Sequence, residues 1–157
     1  MPGAGLYAIA DSKLKFGEDG RWYANGEPVL HKRLALLFSR HLRRKAGGGY
    51  EIWIDERYHT DVDVEDTPYV ITGVGVASSA GSAAFDVQLN DGTTERLDPG
   101  SLQVGGGNVL YCRVKSGSER ARFLRPVYYQ LAQFIEEAGG GQFRLRCGNA
   151  AHTIKQL

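Results

Sequence analysis

The chain has 157 residues, and its 19 Lys and Arg nearly cancel its 18 Asp and Glu, leaving a formal net charge of +1, so no global field steers it to nucleic acid or to a membrane surface. Glycine supplies 21 residues, roughly 13% against about 7% in an average protein, yet there is no every-third-residue period and collagen is excluded. With 42% hydrophobic and 10% aromatic residues, disorder is excluded as well, and the length suits one domain or two small ones.

Residues 14–30 predict short strands separated by turns at Gly17-Glu18-Asp19-Gly20 and Asn25-Gly26. A helix is predicted over 31–46, because Leu34, Leu37, Phe38, His41 and Leu42 repeat at i, i+3, i+4, i+7 and i+8. Arg40, Arg43, Arg44 and Lys45 suit its negative end, and Gly47 is expected to stop it. A strand follows at 50–54, and 58–65 alternates strictly, with Tyr58, Thr60, Val62 and Val64 on one face and His59, Asp61, Asp63 and Glu65 on the other. Further strands are expected at 69–76, at 85–89 and 93–97 across Asn90-Asp91-Gly92, and at 109–115, with a turn at 78–82. Residues 120–124 read equally as an edge strand or an extra helical turn. A second helix starts near Pro126, carries Val127, Tyr128, Leu131, Phe134 and Ile135 as its stripe, and ends at Gly139; residues 143–147 form a strand.

Two segments align without gaps: 33–53 and 125–145 each run helix, Ala-Gly-Gly-Gly, strand. This predicts an α+β fold of two related halves, 1–70 and 71–157, each a curled antiparallel sheet holding one helix, with a duplicated strand-helix-strand motif. Their junction is expected near residues 68–84. Cys112 and Cys147 lack metal-ligand spacing and sit in alternating stretches, so two buried thiols in a reducing cytoplasm are expected rather than a disulfide. No apolar run nears the ~20 residues of a membrane helix, and the first residues lack the pattern of a secretory signal.

Asp19-Gly20-Arg21-Trp22, Asn25-Gly26-Glu27-Pro28, Leu37-Phe38-Ser39 and Val64-Glu65-Asp66-Thr67-Pro68-Tyr69 resemble the bacterial family called domain of unknown function 1285. The stretch Arg120-Ala121-Arg122-Phe123-Leu124-Arg125-Pro126-Val127-Tyr128-Tyr129-Gln130-Leu131 is similar to its C-terminal signature. The resemblance covers about residues 14–147 and departs at Ala24, where the family pattern has histidine. It implies an α+β protein of two related halves with a suggested role in signalling, and it transfers no catalytic residue.

The chemistry is sparse. Gly105-Gly106-Gly107 lacks the Gly-Lys-Ser/Thr of a phosphate loop, and Gly73-Val74-Gly75 meets Ser78 where a dinucleotide fingerprint needs its third glycine. Residues 77–81 imitate a nucleophile elbow without the helix that it requires. Acidic Glu65 and Asp66 at a strand end, basic Arg122 and Arg125 in the second half, and Tyr69 and Tyr129 beside them predict a binding cleft at the junction, since arginine forks match carboxylates and phosphates. The expected function is a cytoplasmic binding module, a non-enzyme, for a small ligand or a protein partner, with no cofactor, no metal and no membrane, and with homo-oligomerisation open. One alternative is a hydrolase or metal-assisted enzyme using the acidic strand 59–66. A second, with nucleic acid a disfavoured partner, is an RNA-binding protein using Arg40, Arg43, Arg44 and the aromatics Trp22, Tyr23 and Trp53.

Overall fold

The computed structural model describes residues 12–79 and 82–157. It is an α+β protein of two compact units. One comprises the chain through Pro68 together with Asn90–Gly92, and the other comprises Tyr69–Leu89 and Thr93–Leu157.

The N-terminal unit holds β1 (Leu14–Phe16), β2 (Trp22–Ala24), β3 (Glu27–Pro28), α1 (Lys32–His41), β4 (Leu42–Arg44), β5 (Tyr50–Trp53) and β6 (His59–Val64). Its six-stranded sheet runs β3-β2-β1-β6-β5-β4. The His31 imidazole begins the helix by accepting the Leu34 N–H at Nδ1, 3.2 Å away, which satisfies one of the donors a helix start leaves open. The core gathers Leu14, Phe16, Trp22, Phe38, Leu42, Ile52 and Val62. Trp22 packs between Phe16, at 5.0 Å between ring centroids, and Phe38, at 5.4 Å. Its indole N–H donates to the buried Ser39 Oγ at 2.9 Å, and the same oxygen accepts from Asn90 Nδ2 at 2.8 Å.

The C-terminal unit holds β7 (Tyr69–Ser79), β8 (Ser82–Leu89), β9 (Thr94–Arg96), β10 (Gln103–Gly105), β11 (Val109–Val114), β12 (Glu119–Phe123), α2 (Arg125–Ala132), β13 (Ile135–Gly139), β14 (Gln142–Cys147) and β15 (Ala150–Gln156). Its nine-stranded sheet runs β13-β14-β15-β10-β11-β12-β7-β8-β9. Val127 and Leu131 of α2 join Ile71, Val87, Leu102, Leu110, Phe123 and Leu145 in its core. Read from β12 to β13, six of its strands repeat the order of the N-terminal sheet. In both units three strands, a helix and three more strands meet at a central parallel pair, β1 with β6 and β10 with β15.

Those parallel pairs, and β12 with β7, correct the expectation of purely antiparallel sheets. Parallel neighbours need a long crossover; the helix with its flanking strands supplies it for β1 with β6 and for β10 with β15, and strands β8 to β11 supply it for β7 with β12. Both helices are also shorter than predicted. Leu42 continues the helical stripe in sequence, but it pairs with Ile52 as the first residue of β4; Ile135 likewise leaves α2's stripe and pairs with Leu145. The Ala-Gly-Gly-Gly segments are therefore hairpin turns and not helix stops. Gly139, Gly140 and Gly141 have φ of +86°, +63° and +77°, the left-handed region open to glycine without a Cβ penalty. Gly105 acts by close approach: a Cβ there would stand 3.0 Å from Tyr111 Cε2 and 3.1 Å from Leu157 Cδ1. Residues 120–124 resolve as strand, since 119–123 form β12 between β11 and β7. The turn expected at 78–82 falls partly outside the described residues. Strand β15 has no counterpart among the expected elements.

Cys112 and Cys147 are both buried and unbridged. Burial, helped by the carboxylates of Glu95 and Asp98, pushes the Cys112 thiol from 9.0 up to about 12. The folded state therefore keeps a proton that the unfolded thiol releases above pH 9. Its contribution is complete below pH 9 and is lost as pH rises, by about 1.4 kcal/mol per pH unit. Chemical denaturation of the wild type and Cys112→Ala at pH 8 and pH 10 should show the wild type losing about that much more stability than the variant. Equal losses would contradict the burial argument.

Candidate functional site

The residues expected to form a cleft divide between the two units. Glu65 and Asp66 follow β6 in the N-terminal unit. The Glu65 carboxylate accepts the Glu18 N–H at 2.8 Å and pairs with Lys15 Nζ at 3.1 Å. The backbone hydrogen bond first, and the ammonium second, hold its pKa below the ordinary 4.5. Its geometry closes the turn after β1.

Tyr69, Arg122, Arg125 and Tyr129 belong to the C-terminal unit. Tyr69 lies across from Ala121 and packs against the core, whereas Arg122 lies across from Val70, so these two occupy opposite faces of the sheet. Arg125 and Tyr129 stand one turn apart on the exposed side of α2. Four residues thus occupy three surfaces, because neighbours in sequence alternate faces in a strand.

The acidic strand also reads differently in three dimensions. Asp61 pairs with Lys45 at 2.8 Å, and the His59 ring stacks on Trp53 at 4.6 Å. Among the described residues, no three His, Cys, Asp or Glu side chains come together as a metal site would require. The basic run is likewise committed. Arg40 Nε donates to the Asp91 carbonyl at 3.2 Å, Arg43 pairs with Glu51 at 2.9 Å and covers Trp53 at 4.2 Å, and Arg44 donates to the Tyr50 hydroxyl at 2.7 Å. Trp22 is buried, and the Trp53 ring already carries Arg43 and His59 against it.

Concavities among the described residues differ in character. A wide one of about 740 Å³ lies over β1, β2 and β6 and is walled by Lys13, Lys15, Tyr23, Asp61 and Asp63. The Lys15 ammonium sits 5.5 Å from the Tyr23 ring centroid, and this surface is open and of mixed charge, with Leu14 and Val62 at its base. A smaller cavity of about 280 Å³ lies between α2 and the inner face of the C-terminal sheet. Val104, Leu110, Ala132, Ile135, Phe143 and Ile154 make its walls, and Asn108, Tyr128, Glu137 and Gln156 bring polar groups to it. Binding pockets typically combine apolar walls with a few placed polar groups at about 300–1,000 Å³; this one has that composition and lies just under the range, a size for a small molecule. The register builds it: Val104 lies across from Leu110 and from Gln156, and Phe143 across from Ile154. Asn108 turns toward it from the β10–β11 loop with φ of +59°, a conformation asparagine tolerates better than most residues. Phe143 is 43% exposed, an apolar ring left at the rim. Its place in an alternating strand was the one legible sign of this site; Asn108 and Gln156 had none.

The fold has known counterparts. A crystal structure of a DUF1285 family protein from Silicibacter pomeroyi DSS-3 superposes with a TM-score of 0.71 at 18% identity, covering 99% of this chain and 90% of that one. The chain has the fold of the DUF1285 family proteins. A second DUF1285 family protein, from Shewanella baltica OS155, gives 0.60 at 20% identity over 78% of this chain and 92% of that one. At such identities the likeness to the DUF1285 proteins is one of fold. No family model and no curated protein matches the sequence. No helix among the described residues is long and apolar enough to cross a membrane.

Proposed function

We propose that the protein is a non-catalytic binding module whose C-terminal unit takes a small amphiphile in the cavity between α2 and the sheet. The cavity carries this reading, since it joins apolar walls to a polar rim within one unit. Glu137 on that rim disfavours an anionic head group, so the ligand has an apolar body and a neutral or cationic head that Asn108, Tyr128 and Gln156 can hydrogen-bond. The DUF1285 fold assigns no ligand. The repeated strand order, with a helix followed by a Gly-Gly-Gly hairpin in each unit, supports descent of the two halves from one duplicated segment.

Fluorescence titration with N-phenyl-1-naphthylamine, an uncharged probe of suitable size, tests the site. Saturable binding at one probe per chain is expected, with at least a tenfold loss in Ala132→Phe, which fills the cavity, and near-wild-type affinity in Ala132→Ser. Absence of saturable binding, or equal affinity in Ala132→Phe, would overturn the assignment.

A further inference from the structure

The face of the C-terminal sheet turned away from the cavity carries a concentration of charge that the N-terminal unit lacks. Register places Arg144 and Arg146 of β14, Lys155 of β15, Arg113 of β11, and Arg120 and Arg122 of β12 on this one side. Glu136 of β13 answers the first two, at 2.8 Å from Arg144 and 2.7 Å from Arg146. Among the described residues, Arg113, Arg120 and Lys155 take part in no ion pair. Arg113 and Arg120 are moreover direct cross-strand partners, a like-charge pairing that a sheet disfavours. The corresponding face of the N-terminal sheet shows the contrast: Lys15, Arg43 and Lys45 each have a carboxylate within 3.1 Å. With a chain net charge of only +1, this is local segregation of charge.

We infer that this face docks an acidic segment of another protein. The cations span β14 to β12, four strand spacings or about 19 Å, which an extended peptide of about six residues covers at roughly 3.3 Å per residue. Arg113 and Lys155 are exposed, and five of the six cations are arginines, whose planar forks match carboxylates two bonds at a time. Single-stranded nucleic acid fits less well, because such sites add aromatic rings for base stacking. The aromatic at the centre here, Tyr111, is only 8% exposed, with Arg120 over its ring at 5.6 Å.

The test uses the full chain with fluorescein-labelled deca-glutamate and, separately, labelled decathymidylate, at 50 and 200 mM salt. Deca-glutamate should bind, weaken at the higher salt, and lose at least tenfold in affinity in Arg113→Gln/Arg120→Gln. Arg43→Gln, on the N-terminal unit, should leave that affinity unchanged. Circular dichroism and N-phenyl-1-naphthylamine binding, which reads the opposite face, show whether the double variant is folded. If deca-glutamate fails to bind, if the double variant binds it equally, or if decathymidylate binds more tightly, the inference is overturned. A dimer in sedimentation that the double variant abolishes would also overturn it, because the occupant would then be a second copy of the chain.

Discussion

Replacing Ser39 with alanine is expected to destabilise the N-terminal unit by about 2–4 kcal/mol. Ser39 Oγ lies buried beside α1 and accepts from Trp22 Nε1 at 2.9 Å and Asn90 Nδ2 at 2.8 Å. Alanine removes the acceptor and leaves two donors behind, and a buried donor without a partner costs about 1–3 kcal/mol. Trp22 is 2% exposed, so water does not reach its N–H. Asn90 is only half-buried, and water can partly replace its bond, which is why the expected total lies below twice the upper figure. Denaturation followed by tryptophan fluorescence measures the loss. A Ser39→Ala/Asn90→Ala pair should be less destabilised than the sum of its single variants, because both changes break one shared contact. A Ser39→Ala loss under about 0.5 kcal/mol would show that the network contributes no more than an ordinary surface position.

Leu131→Ala is expected to cost the C-terminal unit about 2–5 kcal/mol. Leu131 is wholly buried on the inner side of α2, in the same cluster as Leu145 and Ile154. Shortening it removes apolar contact and leaves a void that the sheet cannot fully close. Leu131→Met conserves volume and should cost less than about 1.5 kcal/mol. Because the chain has two units, a single melting curve can merge their transitions. Hydrogen exchange at the amides of Leu145 and Ile154 reports the C-terminal unit directly. Unchanged protection at both in Leu131→Ala would contradict the packing described.

What the sequence disclosed was mostly local. The Asn90-Asp91-Gly92 hairpin is found as β8–β9 and the alternation expected over 58–65 as β6 at His59–Val64, since a turn and a period of two are written within a few residues. The helices were overextended for an equally local reason. Leu42 and Ile135 keep the helical stripe, and only their partners Ile52 and Leu145, distant in sequence, make them strand residues. The central parallel pairs depend on contacts 48 and 52 positions apart (Leu14 with Val62, Gln103 with Lys155), and no periodicity encodes these. The candidate site was largely hidden for the same reason. A cleft at the junction of the halves was expected to bring Tyr69 and Arg122 together, yet register puts them on opposite faces. Asn108, Phe143 and Gln156 become neighbours only once β10, β14 and β15 are aligned. The glycine excess was visible from the start, but its use in hairpin turns and at the Gly105 approach to Tyr111 required the backbone angles and contacts.

The central claim, a ligand cavity inside the C-terminal unit, is tested most directly by methyl NMR of the full chain titrated with N-phenyl-1-naphthylamine. The methyl groups of Val104, Leu110, Ile135 and Ile154, which line the cavity, should shift together and saturate at one probe per chain. Those of Leu14, Ile52 and Val62 in the N-terminal core should stay in place. Stationary cavity methyls, or shifts confined to the N-terminal unit, would contradict the account.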